Sequence, residues 1–172
     1  MFEKLKRRSI KKHTEKYLAR RDRSQVNAKL VTLGFVVDEA LRQDFEPLYD
    51  FAAQLDIQRK DISVFSFLEV KRKVPSMRQN QVNNKHFTWQ GAINNQDAEE
   101  FLARKFDVLV GLYEGCHPFL DLMVSKSQAK FKVGFQGCDE RLFDLTMALS
   151  PREISPFKRE LKKYLKILNK IA

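Results

Sequence analysis

Cysteine, glycine and proline are scarce in this chain, and each scarcity excludes something. Two cysteines, Cys116 and Cys138, are too few for a disulfide framework, so a reduced, cytoplasmic setting is expected. The six glycines form no Gly-x-Gly-x-x-Gly, and none stands before a Lys-Ser or Lys-Thr pair. A nucleotide phosphate would therefore lack its customary backbone cradle. No apolar run approaches the ~18 residues of a membrane span. Met1 to Lys12 is basic without a continuous apolar stretch, which speaks against a secretory signal. No internal repeat and no second domain are visible.

What is present describes a globular chain. Hydrophobic residues make up 43% of the 172 and charged residues 31%, and fourteen Phe must largely build the core. A chain of this length suits one domain with a real core. The net charge of +10 is unevenly placed. Residues 1–29 hold eleven Lys or Arg against three acids, residues 151–172 seven against two, and the middle fourteen against seventeen. Residues 1–28 read as a basic N-terminal helix and linker, and 29–172 as an α/β domain that includes a basic C-terminal helix. Two basic ends attract polyanions: nucleic acid, an anionic membrane face or an acidic protein.

The periodicities place the elements. Residues 2–21 predict a helix with a loose apolar stripe (Phe2, Leu5, Ile10, Tyr17, Leu18), held by a narrow edge or protruding. Lys29–Val37, Asp61–Val70 and Asp107–Tyr113 predict strands, the latter two apolar on both faces, as in a parallel sheet. A helix over 41–55 is interrupted by Pro47. Lys71–Asn84 reads as a loop containing Pro75, and His86–Gln90 as a short strand. Asn94 or Asn95 caps a helix reaching about Phe106, and a short helix follows Pro118. Phe131–Phe135 is a strand, and 142–149 is either strand or helix. The last helix takes Ser155 as cap and Pro156 as first residue, with Phe157, Leu161, Tyr164, Leu165 and Leu168 as its stripe. Strand–helix alternation predicts a single Rossmann-like domain with a mainly parallel sheet.

Ligands in such folds bind outside the carboxyl ends of the strands. Those ends carry Asp38, Glu39, Glu69, Lys71, Glu114, Cys116 and Gln136. Two carboxylates at the first turn repel a phosphate. Cys116, between a strand and a helix start, is the most enzyme-like residue. The favoured reading is nevertheless a buried structural thiol, because no group is evidently placed to activate it. Cys116, His117 and Cys138, with His86 or His13, lack the paired spacing of a zinc site. His86 and Trp89 offer a stacking surface, but core packing is the favoured reading. No catalytic residue, cofactor or metal ligand is assigned.

Three stretches look familiar: Phe106–Val110, Ala129–Phe135 and Tyr164–Ile171. With Val36-Val37-Asp38-Glu39 and the basic start, the chain resembles a family of unknown function made of short proteins from Bacteroidota-type bacteria. That resemblance implies no activity. Lys105–Phe135 is also similar to the amino-terminal half of heptosyltransferase-like glycosyltransferases. That likeness implies a Rossmann-like topology and no transferase activity for this chain alone.

The expectation for function is a non-enzymatic binding module whose basic helices contact RNA, ribosomal RNA included, or DNA. The contacting residues are Arg7, Arg8, Lys11, Lys12, Arg20 and Arg21, with Lys162, Lys163 and Lys166. The alternatives are an adaptor for an acidic protein or anionic membrane face, and a small-molecule binder or enzyme at the carboxyl ends of the strands.

Overall fold

In a computed structural model, which describes residues 1–72 and 77–172, six parallel strands form one sheet. They are β1 (Leu33–Asp38), β2 (Ile62–Leu68), β3 (Gln81–Asn83), β4 (Val108–Leu112), β5 (Lys132–Phe135) and β6 (Leu145–Met147). Their order is β3-β2-β1-β4-β5-β6. The central strand β1 pairs Leu33 with Ile62 on one side and with Val108 on the other. The order reverses between β1 and β4, so a crevice opens there at the carboxyl ends. This is the arrangement of a Rossmann-like domain.

The helices are α1 (Phe2–Ala19), α2 (Glu46–Tyr49), α3 (Ala52–Leu55), α4 (Gln96–Ala103), α5 (Pro118–Lys126) and α6 (Ile154–Ile167). Alternation along the strands sends side chains into two cores. One holds Val36, Phe65, Phe67 and Leu109 with Ile10 of α1, Phe101 of α4 and Phe119 of α5. The other holds Phe35, Val64, Val110 and Val133 with Leu48, Leu55 and the α6 stripe Phe157, Leu161 and Leu165. The two basic helices therefore cover opposite faces of the sheet. Glycine makes room on the α1 side: a Cβ on Gly134 would lie 2.6 Å from the Phe143 ring, and one on Gly34 would lie 2.9 Å from Phe106.

Several sequence expectations shift. The 41–55 helix is two single turns, with Pro47 in the first turn of α2 and Asp56 ending α3 in a left-handed conformation. Within the segment read as a loop, 81–83 form the edge strand β3; Pro75 lies outside the described residues. His86–Gln90 is not a strand. Asn83 and His86 cap a single tight turn over 84–86, and only Phe87 bridges to Ile93. Residues 145–147 resolve as strand. Ser155 lies inside α6 rather than at its cap, which is Glu153, because Pro156 is accommodated anywhere in the first turn. Leu168 ends that helix half-exposed instead of joining its stripe.

Candidate functional site

The crevice at the strand-order reversal is acidic and internally satisfied. After β1 the backbone N–H of Glu39 donates to Phe67 O, those of Leu41 and Arg42 donate to Asp38 O, and that of Ala40 donates to the Asp38 carboxylate at 3.0 Å. The amides that would cradle a phosphate are thus consumed by the turn itself. At the start of α5, Pro118 has no N–H, and the imidazole Nδ1 of His117 accepts from Leu120 N at 3.3 Å. Asp121 accepts from His117 N at 3.2 Å and from the Tyr113 hydroxyl at 2.6 Å. Burial pushes the Asp121 carboxyl up to about 6. Burial also lowers the His117 imidazole below its ordinary value; Asp38 opposes that shift and Arg7 adds to it. His117 packs edge-on to Phe67 with ring centroids 4.9 Å apart, so it serves as a helix cap and packing group.

The remaining acids of this edge are partnered. Glu69 pairs with Arg7, Glu114 with Arg152 at 2.8 Å, and buried Glu39 accepts from Gln81. Cys116 corrects the buried-thiol reading: it is exposed, with its sulfur 4.0 Å from Gly137 O. The turn after β4 carries it past the end of that strand. Cys138 is half-buried, and burial pushes its thiol up to about 11, away from reactive thiolate. Among the described residues no group of three His, Cys, Asp or Glu is arranged to hold a metal ion. Trp89 is 41% exposed, against the core reading, because its loop lies over α1: Trp89 O accepts from Ser9 Oγ at 2.6 Å.

The nine basic residues singled out from sequence fall into three settings. Arg8, Lys11 and Lys12 are exposed on α1, as are Lys4 and Lys16, and Arg20 is exposed at its C-cap. None of these six forms an ion pair among the described residues, whereas Glu15 on the same helix is engaged by Arg141 at 2.6 Å. Arg7 and Arg21 are each held by a carboxylate, and only Arg21 is buried. Arg7 pairs with Glu69 and lies 4.9 Å over the Phe119 ring; Arg21 pairs with Asp144. The third group is on α6, across the sheet: Lys162 is half-buried, Lys163 lies 3.6 Å from Glu160, and Lys166 is exposed.

Arg21 belongs to a buried polar centre that sequence reasoning missed. Lys132, fully buried in β5, donates from Nζ to Val124 O at 2.5 Å, and its backbone N–H donates to Asp144 at 2.8 Å. Burial, with Arg21 close by, brings the Lys132 amine down to about 7 against the opposing pull of Asp144. The signal was present: in the buried run 131–135, Lys132 is a charged residue on a strand with no solvent face. Beside this centre, at the amino ends of β4 and β5, lies a cavity of about 310 Å³ lined by Arg20, Arg21, Lys105, Ser127, Gln128 and Lys130.

Among the described residues no helix is long and apolar enough to cross a membrane. No curated protein matches the chain, and no solved structure matches it. A family profile does match, over residues 6–168, nearly the whole of the described fold, and by that match the chain belongs to the Family of unknown function (DUF6913).

Proposed function

We propose that the chain is a non-enzymatic cytoplasmic binding module that docks a polyanion, in the first instance RNA, on the outer face of α1. The observation that carries this reading is the row Lys4, Arg8, Lys11, Lys12, Lys16 and Arg20: exposed, close in sequence and without carboxylate partners among the described residues. At ~1.5 Å rise per residue, Lys4 to Arg20 covers roughly 24 Å, enough to follow several phosphates of one strand. Contacts of this kind fix position without reading sequence. The α6 lysines face away from this row, so they serve at most a second, weaker contact.

One observation favours a second reading. Phe2 and Leu5 are 79% and 44% exposed beside the basic row, with Trp89 on the loop that packs against Ser9. Exposed aromatic and aliphatic groups next to lysines suit an anionic lipid surface. An acidic protein partner would use the same face. A small-molecule activity at the carboxyl edge has least support, since its backbone donors and most of its acids are already partnered. The likeness of Lys105–Phe135 to heptosyltransferase-like enzymes supports a shared topology without bringing their chemistry.

Affinity measurements at about 50 mM salt with single-stranded RNA, duplex DNA and vesicles rich in phosphatidylserine test these readings. Replacing Arg8, Lys11, Lys12 and Lys16 with Gln is expected to weaken RNA binding by about tenfold or more, while Lys162, Lys163 and Lys166→Gln changes it by less than about threefold. Equal losses from the two variants would remove α1 as the docking face. Vesicle binding without RNA binding would replace the first reading with the second.

A further inference from the structure

Arg21 is 7% exposed, and two of its nitrogens, Nε and Nη1, are buried with no acceptor among the described residues. Its remaining nitrogen, Nη2, is bound to Asp144. That carboxylate is shared: it also accepts from Lys132 N at 2.8 Å and lies 3.9 Å from Arg23. Buried donors in folded proteins are nearly always paired, so a guanidinium with two nitrogens unmatched calls for an acceptor. Arg21 also lines the cavity at the amino ends of β4 and β5.

The charge around that cavity is one-sided. Arg20, Arg21, Lys105 and Lys130 line it against one carboxylate, Asp22, whose Oδ1 already accepts from Ser24 N at 2.8 Å. Lys130 is matched by Asp107 at 2.8 Å, whereas Arg20 and Lys105 are exposed and have no ion pair among the described residues. At the end of α5, the carbonyls of Met123 and Val124 are already engaged. Ser127 N donates to the carbonyls of Met123 and Val124, and Lys132 Nζ donates to Val124. Ser127 Oγ accepts from Ala129 N at 3.1 Å, which leaves its hydroxyl proton available to a ligand.

We propose that this cavity binds one small oxyanion of the phosphate class, inorganic phosphate or a phosphate monoester, with Arg21 as its anchor. A guanidinium fork matches phosphate oxygens in geometry as well as charge. The volume suits a ligand of that size with a modest organic substituent. The occupant supplies the acceptor that the Arg21 N–H groups lack, reached by a turn of the guanidinium, with Lys105, Arg20 and the Ser127 hydroxyl as outer donors. This site shares only Arg20 with the polyanion face: it is anchored on the buried Arg21 and the floor of the cavity, and either assignment stands if the other fails.

Calorimetric titration of the full chain with inorganic phosphate, and separately with glycerol phosphate, in chloride buffer tests the assignment. One saturable site is expected, weakened about fivefold or more by Lys105→Gln and unchanged by Arg8, Lys11 and Lys12→Gln together. Arg21→Gln should abolish binding. Because that variant removes a buried ion pair and can fail to fold for that reason alone, the side-chain Nε–H resonance of Arg21 in the unaltered protein gives an independent readout and should move with the same saturation. Tighter binding of the ester assigns the organic substituent to the cavity, and equal binding assigns free phosphate; both support the site. No saturable binding of either probe, an unmoved Arg21 resonance, or an equal loss in the Arg8, Lys11 and Lys12 variant overturns it.

Discussion

Lys132 is 1% exposed in a strand whose neighbours Phe131 and Val133 turn to the opposite core. The charges facing its amine are Arg21 at the end of α1 and Asp144 before β6, and its hydrogen bond goes to Val124 O of α5. Because its folded pKa, about 7, lies below the ordinary lysine value of 10.5, the folded state holds fewer protons than the unfolded state between those limits. This contribution to stability is greatest above pH 10.5, declines as pH falls, and is lost as pH passes through about 7. Its size is on the order of a few kcal/mol. Lys132→Met should leave the protein at least as stable at neutral pH, since a buried charge is exchanged for an apolar side chain of similar length. It should also flatten the rise in stability between pH 7 and 10. Urea unfolding at several pH values reads both effects, and an unchanged pH slope in the variant would contradict this account. Cys116, being exposed, should tolerate Ser within about 0.5 kcal/mol. Composition flagged both cysteines and could not place them: whether a residue after a strand turns inward depends on the turn, and the acceptor that meets the Lys132 amine, Val124 O on the preceding helix, is set by packing that periodicity does not show.

At the scale of elements, amphipathic periodicity made most of the fold legible. The stripe Phe157, Leu161, Leu165 and the apolar strands at 33–38, 62–68 and 108–112 are where sequence placed them, because each buries a face that the rest of the chain must cover. Short edge elements were less legible. β3 and β6 are three residues each, too short for a period to register, and their pairing with β2 and β5 decides their state. The α1 side shows how closely elements meet: Gly134 lies under the Phe143 ring. Gly134→Ala should cost about 1–3 kcal/mol by forcing that ring away. Ile10 is the fully buried anchor of α1, and Ile10→Ala should cost ~2–4 kcal/mol and loosen the helix from α5. Thermal unfolding of both variants checks these values. A change below about 0.5 kcal/mol for Ile10→Ala would show that α1 is held elsewhere, and one that small for Gly134→Ala that the Phe143 ring yields freely.

At the scale of the molecule, the basic ends carry charge that sequence could count but not assign to faces. Ile10 enters one core and Leu161 the other, so α1 and α6 lie on opposite sides of the sheet. Arg7 and Arg21, alike in sequence to their exposed neighbours, are paired by Glu69 at the surface and by Asp144 in the interior. The polyanion surface proposed above is then one helix rather than both. Its salt dependence follows from that geometry. If about four of the exposed α1 cations neutralise phosphates, log affinity falls with log salt at roughly 0.7–0.9 per contact, or ~10²-fold between about 50 and 200 mM. Titrating RNA at several salt concentrations, with the unaltered chain and with Arg8, Lys11, Lys12 and Lys16→Gln, tests the central claim most directly. The account predicts a steep slope that becomes nearly flat in the variant; an equally steep slope in both, or no binding at the lowest salt, would contradict it.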